Sequence, residues 1–193
     1  MLLAGEDSPA EVSRQLSRWV KAGKLRQIRR GLYVLAPPWA KAAANPLAIA
    51  ARLVIPSYVS LQSALAYHGL IPESVPTVTS VTTRRPGRYR TDLGTFTYRH
   101  IHRNMFWGYE QAMADRGQPA YMAKPEKALL DLVHLTPGPI DASFLRELRL
   151  SWSEIDSQQL ETMAGRTRRP KLIRTARLLV QERHEQTRGV VSL

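Results

Sequence analysis

From Ser8 onward the apolar positions recur with a helical period. Val12, Leu16, Trp19 and Val20 stand at i, i+4, i+7 and i+8, while Arg14, Ser17, Arg18 and Lys21 fall on the opposite side. Ser8, Pro9 and Glu11 spell a capping box with proline at the first helical position, so hydroxyl, carboxylate and missing N–H together account for the orphan donors of the first turn. The pattern predicts an amphipathic helix ended by Gly23. Beyond it, Leu25 to Ile28 and Leu32 to Leu35 read as two short strands around the turn Arg29, Arg30, Gly31. A capped helix with one cationic face, followed by an arginine-tipped hairpin, has the layout of the DNA-contacting half of a winged helix. The seven residues before Ser8 suffice only for the last turn of a helix, which leaves that layout one supporting helix short. Either a segment upstream, a neighbouring subunit or the following domain is expected to cover the apolar stripe.

After Leu35 the segment APPWAKAAAN has no periodicity and reads as a linker or extended strap. Asn45 and Pro46 then cap and open a helix through Val54, stopped by Pro56. A second helix, Ser60 to His68, starts on a serine cap and closes at Gly69. The period next changes to two: Pro76 to Thr83 and Leu93 to Ile101 are rich in Thr, Val, Phe and Tyr and predict strands, joined by the basic loop RRPGRYRTD. Tyr121 and Met122 suggest another short strand before Pro125 opens an apolar helix, Glu126 to Leu135. Helices follow over Asp141 to Leu148, Ser153 to Ala164 and Pro170 to Gln186, the last with Leu172, Ile173, Ala176, Leu179 and Val180 on one face. The expected fold is α+β: a partial winged helix-turn-helix over residues 1–38, then a larger α+β domain over 39–193 that ends in helices.

Composition adds a partner class. The 193 residues carry a net charge of +12, and excess positive charge of that size points to a polyanion, nucleic acid first. With 44% hydrophobic residues the chain has enough apolar content to bury a core. It contains no cysteine, which excludes disulfides and thiolate metal sites. No apolar run reaches the length of a membrane span, and Glu6 and Asp7 stand where a signal peptide would be basic and then apolar, so a soluble cytoplasmic protein is expected. Ser13, Arg14, Ser17, Arg18 and Lys21 on the helix, with Arg26, Arg29 and Arg30 on the hairpin, are the candidate DNA contacts, suited to base edges and phosphates. Arg84, Arg85, Arg88 and Arg90 form a second basic patch, equally readable as a phosphate contact or as ordinary solubilising charge. The cluster Arg166, Arg168, Arg169, Lys171, Arg174 and Arg177 is as readily a solvated face as a binding surface.

Signals for chemistry are weak. His100 and His102 alternate on a predicted strand and share its face, but no carboxylate or cysteine pattern accompanies them, so no metal is expected. There is no glycine-rich phosphate loop, no G-x-S-x-G elbow, no H-E-x-x-H and no acidic pattern of a restriction-type nuclease. Glu126, Lys127 and Asp131 interrupt the apolar run Leu129, Leu130, Leu132, Val133 and read as the charged edges of a core helix. No catalytic residue and no cofactor are expected.

Four stretches taken together carry a resemblance: LRQIRRGLYVL after the basic helix, PSYVSLQSALAYHGLIPE (56–73), VTTRRPGRYRTDLGTFTYRHI (81–101) and MAKPEKALLDLV (122–133), with RRPKLIRTARLL closing the chain. In order and spacing they resemble the AbiEi family of bacterial type IV antitoxins. The resemblance implies a winged-helix N-terminal domain that binds inverted repeats in its own operon's promoter, a layout suited to a dimer on DNA. It also implies a C-terminal domain that neutralises a nucleotidyltransferase-like toxin. By position, Ala10 to Ala22 would be the DNA-reading helix and Leu25 to Leu35 the wing. Family members usually carry a further helix upstream of the stretch matching MLLAGED. The expected function is therefore a non-enzymatic transcriptional autorepressor and antitoxin. A nuclease fused to a winged helix, and an antitoxin acting through protein contacts alone, are the alternatives.

Overall fold

The structure, a computed structural model, describes residues 8–72, 75–114, 117–152 and 154–191. The last helical turn expected before Ser8 lies outside them. Helix α1 (Pro9–Lys21) starts as the sequence predicts: the Ser8 hydroxyl accepts from the Glu11 N–H at 3.3 Å, and the Glu11 carboxylate accepts from the Ser8 N–H at 2.9 Å. Hydrogen bonds from the Ser8 hydroxyl and N–H hold the Glu11 carboxyl below its usual range. Strands β1 (Leu25–Arg29) and β2 (Leu32–Leu35) pair antiparallel, and Gly31 turns between them at φ +80°, a conformation open to glycine without steric cost.

The end of the strap after β2 is tied down by Gln118. Gln118 donates from Nε2 to the Ala43 carbonyl at 2.8 Å and accepts at Oε1 from the Asn45 N–H at 3.0 Å. Asn45 then caps α2 (Pro46–Leu53), its Oδ1 accepting from the Leu47 N–H at 2.8 Å. The remaining elements are β3 (Ser57–Val59), α3 (Leu61–Tyr67), β4 (Thr77–Thr82), β5 (Gly87–Thr91), β6 (Gly94–His100), a 3-10 turn (Arg103–Met105), β7 (Tyr109–Ala114), β8 (Gln118–Ala123), α4 (Pro125–Leu135), α5 (Ala142–Glu147), α6 (Ser157–Arg166) and α7 (Pro170–Val191). The fold is mixed α+β.

Strands β3 to β8 form one six-stranded sheet in the order β5-β6-β4-β3-β8-β7, in which β3–β8 and β4–β6 are parallel and the other pairs antiparallel. The pleat assigns its faces, because residues paired across strands point the same way. Val59, Ser80 and Tyr98 share one face, where the Tyr98 hydroxyl donates to the Ala50 carbonyl of α2 at 2.6 Å. Tyr58, Val81 and Arg99 share the other, where Tyr58 donates to Asp131 of α4 at 2.9 Å and Arg99 to the Leu135 carbonyl at 3.1 Å. Helices α2 and α4 therefore cover opposite faces, and α3, α6 and α7 pack around α4.

Four expectations are corrected. The basic loop between the two predicted strands is largely a strand, β5, since Gly87 to Thr91 pair with β6 along their whole length. Two strands were not predicted: β3 has three residues, too few to show alternation, and all three are buried; β7 is an edge strand with polar residues inside it. The Ser60 hydroxyl does not cap α3; it donates to Asp131 at 2.8 Å instead. Finally, the polar residues of α4 are not at a charged edge: Glu126, Lys127 and Asp131 are 2%, 0% and 0% exposed. Lys127 pairs with Asp131 and donates to the Tyr58 hydroxyl at 2.8 Å, so the ion pair sits in a closed polar network. Burial pushes the Asp131 carboxyl up and the Lys127 ammonium down, each against the attraction of the other.

Candidate nucleic-acid interface

The helical period predicted for α1 puts its polar residues in one row, and the structure keeps them there. Ser13, Arg14, Ser17, Arg18 and Lys21 line an open groove of about 450 Å³, and all five are exposed. Ser17 donates its hydroxyl proton to the Ser13 carbonyl at 2.9 Å, which leaves the hydroxyl oxygen as an outward acceptor. The opposite stripe, Val12, Leu16, Trp19 and Val20, is half-buried, and α1 packs on β1 without burying any residue fully.

The hairpin carries its arginines in two roles. Arg29 and Arg30 stand exposed at the tip. Arg26 is engaged: its guanidinium pairs at 3.0 Å with Asp92, in the turn between β5 and β6, and so clips the hairpin to the edge of the large sheet. Lys24 lies over the Trp39 ring at 5.2 Å, a cation–π contact that holds the strap beneath the hairpin's start.

The second basic patch divides. Tyr89 pairs with Phe96, turns toward the α2 face and meets Tyr98 edge-on at 5.7 Å; Arg88 and Arg90, one position to either side, belong to the other face. Arg84 and Arg85 precede β5 and line, together with Arg29, a cleft of about 590 Å³ on the α2 side. Burial and the neighbouring Tyr89 push the Tyr98 phenol up, while the nearby Arg29 charge works in the opposite direction. Arg29 and the pair Arg84, Arg85, separate in sequence, are thus neighbours in space. The signal that brings them together, Asp92 against Arg26, is a single acidic residue in a basic stretch and was missed.

Elsewhere the cationic residues have structural work. Arg166 stacks on Trp107 at 4.3 Å and Lys171 donates to the Thr136 carbonyl, while Arg168, Arg174 and Arg177 are exposed. His102 is off the strand, which ends at His100, so the two histidines do not share a strand face. His100 Nδ1 donates to the Arg84 carbonyl at 2.9 Å, and His102 Nδ1 lies 2.8 Å from Asn104 Oδ1. Among the described residues, no group of three or more His, Asp and Glu is placed to hold a metal ion, and no helix is long and apolar enough to cross a membrane.

No curated protein matches the chain. Its residues 7–36, the segment that holds the basic groove of α1 and the whole arginine-tipped hairpin, match the model of a family described as transcriptional regulator, AbiEi antitoxin.

Proposed function

We propose that the protein is a cytoplasmic DNA-binding autorepressor and antitoxin in which α1 is the recognition helix and β1–β2 the wing of a winged helix. In this reading residues 1–38 read inverted repeats in the protein's own promoter as a dimer, and residues 39–193 neutralise a nucleotidyltransferase-like toxin. The observation that carries the reading is a row of exposed Ser and Arg/Lys side chains on a capped helix, followed by a hairpin with Arg29 and Arg30 at its tip, within the segment that matches the regulator family. Guanidinium groups on such a helix face suit guanine edges and phosphates in a major groove, and the hairpin arginines suit the adjacent backbone.

Fluorescence anisotropy with a duplex from the upstream promoter tests the DNA half. Arg14→Ala with Arg18→Ala should cost about 1–3 kcal/mol per base-reading arginine and erase the preference for promoter over scrambled DNA. An unchanged preference rejects α1 as the reading helix. For the antitoxin half, co-expression of the full chain should restore growth to cells making the nucleotidyltransferase-like toxin. Growth arrest despite abundant full-length chain rejects that role.

A further inference from the structure

We propose that the cleft shared by the hairpin tip and the β4–β5 turn is a clamp for DNA backbone phosphate, adding a contact beyond the groove of α1; the proposal rests on the DNA-binding reading above. Three guanidinium groups, Arg29, Arg84 and Arg85, line it, with no acidic residue among the lining side chains. Guanidinium is always charged and matches phosphate oxygens two at a time, so three of them around one cavity repel each other unless an anion enters. Its floor is apolar, made by Leu53, Val54 and Ile55 at the end of α2, and Ile55 is 66% exposed. An apolar floor beneath cationic walls fits a phosphodiester with its sugar.

The site is built before a ligand arrives. Arg84 donates from Nε to the Ile55 carbonyl at 2.7 Å, its own N–H donates to Thr82 Oγ1 at 3.1 Å, and its carbonyl accepts from His100. The Nε bond and the backbone bonds thus hold Arg84 in place, while its terminal nitrogens keep no hydrogen-bond partner among the described residues and are left for an anion. The guanidinium groups of Arg29 and Arg85 likewise have no hydrogen-bond or ion-pair partner among those residues. Ile28 of the hairpin is buried in the main core, Leu32 and Val34 pack against it, and Arg26 pairs with Asp92, so the two walls of the cleft come from different parts of the chain yet stand in one frame. Continuity with Arg30 at the tip favours a polymer backbone over a free ion.

The test compares Arg85→Glu and Arg85→Lys with the full wild-type chain, reading anisotropy on promoter and scrambled duplexes across a salt series. Arg85 has no internal partner, so both variants should keep the wild-type melting curve. If the cleft clamps phosphate, Arg85→Glu weakens both duplexes alike, by about tenfold, and lowers the salt slope by about one unit; Arg85→Lys keeps most of both. Wild-type affinity and slope in Arg85→Glu, with Arg14→Ala/Arg18→Ala still losing promoter preference, overturns the clamp and leaves the reading of α1 standing. No duplex binding by the wild-type chain overturns both. Inorganic phosphate titrated against the DNA-free protein is the third arm: phosphate binding lost in Arg85→Glu while duplex binding is unaltered assigns the cleft to free phosphate and overturns the DNA clamp.

Discussion

With Lys127 and Asp131 both withdrawn from water, each charge is tolerated only because the other is present and because Tyr58 and Ser60 complete the hydrogen bonding of the carboxylate. The space around the lysine is filled closely. Trp107 lies over its ammonium at 5.3 Å, and Gly108, at φ +75°, lets the chain pass where a Cβ would stand 3.1 Å from the Lys127 stem. Removing one partner strands a buried charge, so Lys127→Met should lower unfolding free energy by about 3–5 kcal/mol in urea titration. Lys127→Met with Asp131→Leu should recover part of that loss, since neither member of the pair is then left as an unpaired buried charge. A double variant less stable than Lys127→Met alone would show that the network's hydrogen bonds, rather than charge pairing, dominate. In the sequence the pair is visible only as an i, i+4 spacing, which solvent-facing helices share; its burial depends on β3, which the sequence did not reveal.

At the level of elements, legibility followed how local the cause is. Cap, stripe and stop of α1 all lie within its own residues, and the helix was read correctly. The same is true of α2, opened by Asn45–Pro46, and of α4, opened by Pro125. Strand β5 has the composition of a loop, because arginine holds four of the nine positions from Arg84 to Asp92. As the outer strand of the sheet it gains from charges facing outward, which discourage pairing with another chain. Strand β3 owes its existence to neighbours distant in sequence, β4 and β8, and Tyr58 on it stacks on Tyr109 of β7 at 4.5 Å; β7 forms a local hairpin with β8 that its polar residues mask in the sequence. The same distinction divides the candidate interface. The row on α1 was legible because one helix makes it; the meeting of Arg29 with Arg84 and Arg85 was not, because the docking of the hairpin on the sheet makes it.

For the whole molecule, the concentration of positive charge bears on acid stability. His134, near the end of α4, is held neutral by burial and by Arg169, Lys127 and Lys171, which lower its pKa to about 4. An unfolded chain would bind the proton near pH 6.5, so this group favours folding above that value, and its contribution is lost as pH falls from about 6.5 through 4. Asp131, its carboxyl raised by burial, has the opposite sign: the folded chain takes up that proton at a higher pH than the unfolded chain does, so this group's penalty on folding is relieved as pH falls. Thermal unfolding of His134→Gln should therefore show a shallower loss of stability between pH 6.5 and 4 than the wild-type chain, and parallel curves would reject the assignment.

The order of strands in the sheet also has a meaning in time. Strands β3, β4, β5 and β6 come from one continuous stretch, whereas the other flank of β3 is taken by β8, in the parallel pair Val59↔Met122. A ribosome adding about 5–20 residues per second needs roughly 3 to 13 s to travel from one partner to the other. Throughout that interval the nascent chain carries an open seam along β3, with Tyr58 lacking its aspartate and lysine. The arginine-tipped hairpin has by then already been synthesised, so the segment proposed to contact DNA is made before the interior can close.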